Sequence, residues 1–393
     1  MRLTLAAFLA LLAGCGPFSH NATDSGWLVP ETHRASRPLR ALDAERPLRV
    51  AVYGDVHRGR EGHRAVVAAI RREKPDLVIY TGDALDCRPL GHLPDCGEAA
   101  YAIPLWPQFY RGRPAFSFLS FVPFPAVVHE FCLNGPWPIR HANGLNDFLE
   151  DSAPLRLEDG VPFLFVPGNH DVFHDFDRGE IARLFGEPGG GGGRDPEALW
   201  FAMEIGDVRF LVLNTGTDTP GDPEPLAEDG AQLRWLDAQL ADAEARGTTA
   251  IVCAHLPPRS SGTNDPPREA VTERLAARLL RRPCVRLVLS GHMHEYERVE
   301  VARREGPPAT FVVTGGGGSP CDHESEDRVP GSQILIEDRH HFVLLEFRPE
   351  DLHGRFVAVD GPPENVADAS RESLPLKSPP PSDEFTIPLE PRR

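Results

Sequence analysis

Short apolar runs, separated by turns rich in glycine and proline, dominate the chain from residue 48 onward. Leu48–Tyr53 and Leu77–Tyr80 have the length and the composition of buried strands. Between them, Arg64–Glu73 places its aliphatic side chains at helical spacing and stops before Pro75. This strand–helix–strand order predicts two parallel strands joined by a right-handed crossover.

Strand-like and helix-like segments continue to alternate in the rest of the chain. Gly206-Asp207 joins two apolar runs and is a strong signal for a two-residue β-hairpin turn. Gln232–Ala245 repeats leucine at helical spacing and is predicted to be an amphipathic helix. The other predicted segments are the strands Phe163–Val166, Trp200–Ile205, Val208–Asn214, Thr249–Ala254 and Val285–Ser290, the helices Ala142–Glu150 and Glu269–Arg281, and the late strands Arg298–Ala302, Thr310–Thr314, Gln333–Ile336, Phe342–Phe347 and Arg355–Val359.

These segments predict an α/β fold in which two mixed β-sheets pack face to face and helices flank them, a four-layer sandwich. We place this domain at residues 47–360 and predict a mobile, proline-rich tail at residues 361–393. An insertion at about residues 87–160 interrupts the alternation, and ten of the chain's 31 aromatic residues lie within it, between Tyr101 and Trp137. Two hypotheses stay open for the insertion: a cap that packs on the core, or a lid that lines a binding cleft.

The first 46 residues are predicted to lie outside the folded domain. Leu3–Leu12 is an apolar run that is too short to span a bilayer as a helix, which needs about 20 residues. The stretch Leu12–Cys15 that ends it, LAGC, resembles the bacterial lipoprotein signal. The resemblance implies a signal peptide at residues 1–14, a lipid on Cys15 that anchors the protein to a membrane, and a tether at residues 15–46. We expect an exported lipoprotein of the outer membrane or periplasm; the alternative is an ordinary cleaved signal with an incidental cysteine.

The chain is acidic, with 58 Asp and Glu residues against 41 Lys and Arg residues and a formal net charge of −17. Such a surface repels phosphate backbones, which argues against dedicated nucleic-acid binding. Export would place the six cysteines after Cys15 in an oxidising compartment. About fifteen complete pairings are then possible, and the sequence selects none of them. Cys253 lies inside an apolar run and is predicted to be a buried strand residue with a free thiol.

Polar side chains follow directly after five of the predicted strands. In open α/β sheets, ligands bind at the carboxyl ends of the strands, so these side chains are expected to share one crevice. Carboxylate, amide oxygen and imidazole groups suit zinc, iron or manganese. Two pairs are separated by a single residue, and in extended backbone such pairs point the same way, toward neighbouring metals. The candidates are Asp55, His57, Asp83, Asn169, His170, His255, His292 and His294.

Five motifs carry a family resemblance: Gly54–His57, Gly82-Asp83, Gly168–Asp171, His255 and Gly291–His294. In this order, within residues 48–347, they resemble the calcineurin-like metallophosphoesterases. The stretch from Gly291 to Arg298 is most similar to the purple acid phosphatase branch of that family. The resemblance implies two bound ions of iron, zinc or manganese. It also implies that the substrates are phosphate mono- or diesters, which a metal-bridging hydroxide hydrolyses.

The roles of the family's residues carry over position by position. The resemblance implies a first metal held by Asp55, His57, Asp83 and His294. It implies a second metal held by Asp83, Asn169, His255 and His292, with Asp83 bridging the two. His170 would lie beside the phosphate as an acid or as a stabiliser of the transition state, and Asp171 would orient it.

One position departs from the purple acid phosphatase pattern. That branch has a metal-binding tyrosine three residues after the bridging aspartate, whereas this chain has Asp86 there and His57 two residues after Asp55. The departure predicts that the protein lacks an iron–tyrosinate colour. Two other functions stay open. One is a surface lipoprotein that binds metal without catalysis, and the other is an exported nuclease, which the acidic charge disfavours.

Overall fold

The computed structural model covers most of the domain that the sequence predicts. The described residues are 46–57, 59–85, 140–172, 181, 199–216, 226–228, 230–262, 270–321, 327–359 and 381–389, with the backbone alone at 140–146 and 270. The predicted signal, the tether, Cys15 and most of the aromatic insertion lie outside them. The lipid anchor and the choice between cap and lid therefore stay predictions.

Most elements lie within a few residues of the predicted bounds. The strands are, in chain order, β1 (Leu48–Tyr53), β2 (Leu77–Tyr80), β3 (Phe163–Phe165), β4 (Phe201–Ile205), β5 (Val208–Leu213), β6 (Thr249–Ala254), β7 (Val285–Ser290), β8 (Tyr296–Val301), β9 (Ala309–Thr314), β10 (Ser332–Ile336), β11 (His341–Phe347), β12 (Asp351–Ala358) and β13 (Glu384–Pro388). The helices are α1 (Arg60–Glu73), α2 (Arg140–Ala153), α3 (Ala231–Arg246) and α4 (Ala276–Leu280), with π-helical turns at Pro154–Glu158 and Ala270–Leu275. In the described part of the chain, no helix combines the length and the apolar character that crossing a bilayer requires.

The strands form two mixed sheets. The first sheet has the order β13-β12-β11-β1-β2-β3, and β1, β2 and β3 run parallel. The second sheet has the order β10-β8-β9-β7-β6-β5-β4, and β5, β6, β7 and β9 run parallel. The other neighbouring strands are antiparallel. The predicted hairpin is confirmed, because β4 and β5 pair with Ile205 opposite Val208.

Three apolar layers hold the sheets and helices together. Between the sheets, Val52 and Ile79 of the first sheet belong to the same buried cluster as Val212 and Leu289 of the second. The outer face of the first sheet packs on α1 and α2, and the outer face of the second packs on α3 and α4. Strands β5, β6 and β7 are buried at every residue, as expected for parallel strands covered on both faces. This confirms the predicted four-layer sandwich.

Ion pairs join α1 to α2. The side chain of Asp151 is 2% exposed and accepts hydrogen bonds of 2.8 Å from both Arg60 Nε and Arg64 Nε. Helix α1 begins at Arg60, four residues before the predicted start, because its first turn contains no aliphatic residue to mark it. Helix α2 extends the predicted helix Ala142–Glu150 at both ends. These ion pairs hold the end of α2, which lies within the predicted insertion, against α1.

Two predicted segments differ from the structure. The single helix expected at Glu269–Arg281 is divided into a π-helical turn and α4. The predicted mobile tail contains β13, which pairs with β12, so the folded domain extends beyond residue 360 to Leu389. Phe385 and Ile387 are buried and alternate with exposed residues. This strand pattern is only two repeats long and follows a proline-rich stretch, so the local composition concealed it.

Two buried cysteines lie in the second half of the domain. Cys253 is fully buried in β6 with a free thiol, as predicted. Cys284 is a second buried free thiol, and burial raises its pKa to about 12. Its Sγ donates a weak hydrogen bond of 3.7 Å to the carbonyl of Leu240 in α3. Both side chains therefore act as small apolar residues of the core.

We expect Leu345→Ala to lower the free energy of unfolding by about 2–5 kcal/mol, because it leaves a cavity between two sheets. Leu345 lies in β11 and is fully buried in the core between the sheets. Urea denaturation followed by circular dichroism measures the change. The matched control is Leu157→Ala, at a residue that is 39% exposed, and it should cost less than about 0.5 kcal/mol. Equal losses in the two variants would contradict this description of the core.

Candidate metal centre

The predicted ligands meet at one end of the sandwich. Asp55, Asp83 and Asn169 follow the carboxyl ends of β1, β2 and β3 in the first sheet. His255 and His292 follow the carboxyl ends of β6 and β7 in the second sheet. Parallel strands of one sheet end on the same side, and the two sheets face each other, so the five loops converge.

Three overlapping groups of possible metal ligands form where the loops meet. Within each group, one ligand atom from each residue lies within 4.8 Å of the others. The groups are Asp55, His57 and His294; His57, Asp83 and His170; and Asp83, His255 and His292. Because His57 and Asp83 each belong to two groups, the three groups form one continuous set, which we call the ligand row.

Asp83 lies in the middle of the ligand row. Its Oδ2 lies 3.4 Å from His57 Nε2, 3.2 Å from His255 Nε2 and 4.0 Å from His170 Nε2. Its Oδ1 accepts a hydrogen bond of 3.0 Å from the backbone amide of His170. The carboxylate is buried and faces imidazoles from both sheets, which is the placement expected of a bridging ligand.

Asn169 lies at the end of the ligand row that contains His255 and His292. Its Oδ1 lies 2.8 Å from His255 Nε2 and 3.1 Å from His292 Nδ1. At the opposite end, His294 Nε2 lies 4.0 Å from Asp55 Oδ1. The backbone amide of His292 donates to the same Asp55 oxygen at 2.9 Å. Both ends of the row therefore combine an oxygen ligand from the first sheet with a histidine from the second.

Backbone carbonyls determine which nitrogen of two histidines faces the ligand row. His255 Nδ1 donates to the carbonyl of Thr81 at 2.7 Å, and His294 Nδ1 donates to the carbonyl of Pro320 at 3.0 Å. Since a carbonyl only accepts, Nδ1 carries the proton in each ring and Nε2 faces the row. Metal-binding histidines are held in this way in other proteins.

The atoms around His255 Nε2 require a positive charge. Asn169 Oδ1 lies 2.8 Å away and Asp83 Oδ2 lies 3.2 Å away, and both are acceptors. With Nδ1 protonated, a neutral His255 would point a lone pair at two oxygen lone pairs. A second proton on the ring, or a metal cation, removes this repulsion. A donor set of carboxylate, amide oxygen and imidazole fits zinc, iron or manganese.

The electrostatics of the same atoms favour a positive charge between them. Burial alone would lower the pKa of His255, but the negative charge of Asp83 raises it to about 9. For Asp83, burial alone would raise the pKa, but the charges on His255 and its neighbouring imidazoles hold it well below its usual value. A metal that binds here displaces the proton of the imidazole, so the protein can exchange one positive charge for another.

The loops that carry the ligands adopt strained backbone conformations. The φ angles of Asp55, His57, Asp83 and His292 are 64°, 44°, 59° and 72°, all in the left-handed region. For residues with a side chain this region costs about 1–3 kcal/mol each. Among the described residues, the remaining non-glycine with positive φ is Lys74, which ends α1. Strain concentrated at four of the predicted ligands is typical of a functional site.

Two glycines allow the ligand loops to pack closely. A Cβ on Gly168 would lie 2.1 Å from Asp83 Oδ1, and a Cβ on Gly291 would lie 2.4 Å from Asp55 Oδ2. Real Cβ atoms do not approach other heavy atoms this closely. Any other residue at either position would therefore displace a carboxylate from the ligand row.

Asp171 connects two ligand loops through their backbones. Its Oδ2 accepts from the amides of Gly168 at 2.9 Å and Asp83 at 2.8 Å, and its Oδ1 accepts from the two amides that follow Asp83, at 3.0 and 3.2 Å. The family resemblance implied that Asp171 orients His170, but these four bonds go to backbone amides of the loops. Burial and the charge of Asp83 raise the pKa of Asp171 to about 7, although the amide donors oppose the shift.

The glycine run Gly315–Gly318 after β9 contacts the site, although sequence analysis gave it no role. Gly317 N donates to the carbonyl of Gly54 at 2.8 Å, and Ser319 N donates to the carbonyl of Asp55 at 3.0 Å. The run therefore bonds the second sheet to the loop Gly54–His57 after β1, which we call the first ligand loop. The carbonyls that orient the histidines were missed as well, because a backbone group acts through its position and leaves no side-chain signal.

Comparison with known proteins gives a family match that spans the residues of the ligand row. The family model described as calcineurin-like phosphoesterase matches residues 48–296. A probable cyclic nucleotide phosphodiesterase of Synechococcus sp. (strain WH7803) is 37% identical over 90 residues, which are 21% of this chain and 34% of that protein. The glycerophosphodiester phosphodiesterase GpdQ of Enterobacter lignolyticus (strain SCF1) is 28% identical over 157 residues, which are 39% of this chain and 51% of that protein. The chain thus matches about a third and about half of the length of these relatives.

A solved structure shares the fold over most of the chain. Purple acid phosphatase PPD1 of yellow lupin (Lupinus luteus) aligns with a TM-score of 0.51 over 90% of this chain and 55% of that chain. The sequence identity is 16%, so this likeness shows the fold alone. The family model, in contrast, matches more than half of the chain and includes every residue of the ligand row. The chain therefore belongs to the calcineurin-like phosphoesterase family.

Proposed function

We propose that the protein hydrolyses phosphate esters with two metal cations bound in the ligand row. The observation that carries this proposal is the central position of Asp83, whose Oδ2 lies 3.4 Å from His57 Nε2 and 3.2 Å from His255 Nε2. Two-metal hydrolases hold their cations about 3.5–4 Å apart, so one ligand commonly serves both. Asp83 is placed to be that ligand.

We assign the ligand row to two metal positions. The first consists of Asp55, His57, Asp83 and His294, and the second of Asp83, Asn169, His255 and His292. Bound cations would supply Lewis acidity at the phosphoryl oxygens and lower the pKa of water. Zinc, iron and manganese all suit these ligands. Asp86 lies outside the described residues, so the absence of an iron–tyrosinate colour stays a prediction.

We assign His170 to the substrate rather than to a cation. Its Nε2 lies 4.0 Å from Asp83 Oδ2, and its ring packs edge-on against that of His57 with the centroids 4.6 Å apart. Both metal positions have four ligands without it, and its side chain is 11% exposed. An imidazole placed there can donate a hydrogen bond to a phosphoryl oxygen or a proton to the leaving group.

We propose phosphodiesters as the preferred substrates. The relatives that match in sequence are named as phosphodiesterases, one for cyclic nucleotides and one for glycerophosphodiesters. Matches to a third and a half of their lengths support a shared reaction type more strongly than a shared substrate. The proposal is therefore limited to the diester class.

With Mn²⁺ or Zn²⁺ bound, we expect kcat/KM for bis(p-nitrophenyl) phosphate to exceed that for p-nitrophenyl phosphate by at least about tenfold, or about 1.4 kcal/mol of discrimination. Release of p-nitrophenol measures both reactions. A higher kcat/KM for p-nitrophenyl phosphate would instead identify phosphate monoesters as the preferred substrates. If neither ester reacts from acid to mildly alkaline pH, a lipoprotein that only binds metal becomes the better explanation. Efficient digestion of DNA or RNA would support the exported nuclease instead.

We expect Asp83→Asn to lose metal and activity together, because it removes the one negative charge that both metal positions share. kcat/KM should fall by more than about 100-fold, since even residues behind the ligands contribute about 10–100-fold. Elemental analysis of the purified variant and turnover of the preferred ester measure the two effects. Full metal content and full activity in this variant would rule out the bridging assignment.

The matched comparison is His170→Ala, at the other side of the same carboxylate. This variant should keep both metals and lose about 100-fold in kcat, which is the usual contribution of a general acid. Loss of metal from His170→Ala would instead place His170 among the ligands. The pair of variants therefore separates a residue that holds metal from one that acts on the substrate.

We also propose that the protein is an exported lipoprotein held to a membrane through Cys15. The support is the sequence alone: the apolar run Leu3–Leu12, followed by the LAGC stretch that ends in this cysteine. The polar, proline-containing segment at residues 15–46 would then be the tether between the lipid and the domain.

Cys15→Ser should release the protein from the membrane fraction of the cells that export it, because serine is not a substrate for lipid attachment through sulfur. Fractionation and immunoblotting measure the distribution. Cys321→Ser is the control for the substitution itself and should leave the distribution unchanged. Membrane association that survives Cys15→Ser would count against the lipid anchor.

A further inference from the structure

The C-terminal segment, residues 381–389, packs beside the strand that follows two ligands of the row. β13 pairs with β12 at the edge of the first sheet, with Leu352 opposite Ile387. Phe385 and Leu389 are each 7% exposed and belong to the core between the sheets. This segment lies beyond residues 48–296, which the family model matches. The family match therefore assigns it no role.

Asp383, just before β13, is bonded to two residues of β8. Its Oδ2 accepts from Tyr296 Oη at 2.6 Å and from Arg298 Nε at 2.7 Å, and its Oδ1 accepts from Arg298 Nη2 at 3.0 Å. The arginine pair is bidentate and charge-assisted, which makes it strong and directional. The guanidinium also lies 5.4 Å from the centroid of the Phe385 ring. Since β13 belongs to the first sheet and β8 to the second, Asp383 bonds one sheet to the other.

Tyr296 links Asp383 to the ligand row. It lies two residues after His294, and it is fully buried. Its ring packs edge-on against His341 with the centroids 5.8 Å apart. His341 N in turn donates to the carbonyl of Gly316 at 3.0 Å, within the glycine run that bonds to the first ligand loop. The hydroxyl of Tyr296 is thus bonded to Asp383, just before β13 in the first sheet. The backbone of Tyr296 begins β8 in the second sheet, directly after the loop that carries His292 and His294.

The ligand row depends on the relative position of the two sheets. The bond of 2.9 Å from His292 N to Asp55 Oδ1 crosses from one sheet to the other, and His292 adopts a φ of 72° to make it. The core between the sheets is apolar, and apolar contact has no preferred direction. Directional bonds between the sheets, those of Asp383 among them, therefore help to set the position at which β8 follows the loop that carries His292 and His294.

We propose that Asp383 is a positioning residue for the metal centre: through Tyr296 and Arg298 it holds His292 and His294 against the ligands of the first sheet. The C-terminal segment is thereby part of the scaffold of the site. This inference rests on the proposed function, because it assumes that the ligand row binds metal. It places no new group on the substrate or on a cation.

The test compares Asp383→Ala, Tyr296→Phe and the double variant with the unchanged protein. The probe is Mn²⁺ alone, titrated by calorimetry into metal-free protein. We expect the Kd of the more weakly bound Mn²⁺ to rise about tenfold in Asp383→Ala, at the low end of the range for residues behind metal ligands. Tyr296→Phe, which keeps the ring and folds with the least disturbance, should give a severalfold rise. The double variant should match Asp383→Ala, because both changes break one linkage.

The matched control is Asp242→Ala in α3. Asp242 also accepts a hydrogen bond from a nearly buried arginine, Arg209, and that arginine keeps Glu204 as its partner. Arg298 similarly keeps Glu300 in Asp383→Ala. Each variant thus removes one of two carboxylates from a nearly buried arginine, but Arg209 lies away from the ligand loops. Asp242→Ala should leave Mn²⁺ affinity unchanged. It should lower the melting temperature less than Asp383→Ala does, because the side chain of Asp242 is 53% exposed and that of Asp383 is 9% exposed.

Two results would overturn the inference. The first is an unchanged Mn²⁺ affinity in both Asp383→Ala and Tyr296→Phe, and the second is an equal loss of affinity in Asp242→Ala. Failure of the proposed function gives a different result, in which the unchanged protein binds Mn²⁺ but hydrolyses no phosphate ester. In that case the affinities alone still show whether Asp383 positions the ligands.

Discussion

The candidate metal centre depends on one electrostatic requirement, which is that His255 Nε2 faces two oxygen acceptors at 2.8 and 3.2 Å. Such a convergence is repulsive unless a positive charge lies within it, whether a proton or a metal. The surrounding structure makes the convergence unavoidable. Thr81 fixes the ring from behind, and Asp171 bonds the Asp83 loop to the Gly168 loop. The fold therefore acts as a rigid frame around a place for a cation.

The fold brings together polar groups that would otherwise repel each other, and strained backbone conformations are part of the energetic cost. Four residues of the ligand row adopt left-handed conformations, which persist only where the surrounding structure leaves no alternative. The alternative conformations are blocked by the close approach of Gly168 and Gly291 and by the bonds from the glycine run to the first ligand loop. Three apolar layers supply the stability that offsets this strain. The strained backbone at the strand ends therefore lowers the stability of the fold, and burial of the apolar core offsets this loss.

The sequence revealed the strands, the order of the layers and the residues that meet, because each predicted ligand motif follows an apolar run. It did not reveal the role of Asp171, since a carboxylate that binds backbone amides looks the same in the sequence as one that orients a histidine. Strand β13 was concealed by its short alternation beside a proline-rich stretch. The carbonyls of Thr81 and Pro320 carry no sequence signal, because any residue could supply them. Position in space, rather than residue type, determines all of these roles.

Cys253 lies two residues before His255 on β6, and its side chain is fully buried in the core between the sheets. Burial raises the pKa of its thiol far above the physiological range. Only the thiolate is a strong ligand and a good nucleophile, so this sulfur is chemically silent. Ions that prefer sulfur, such as copper(I) or cadmium, therefore find no thiolate ligand in this residue. Peroxide and disulfide-forming catalysts likewise find no reactive thiol in this residue, although it is a close neighbour of the site in the sequence.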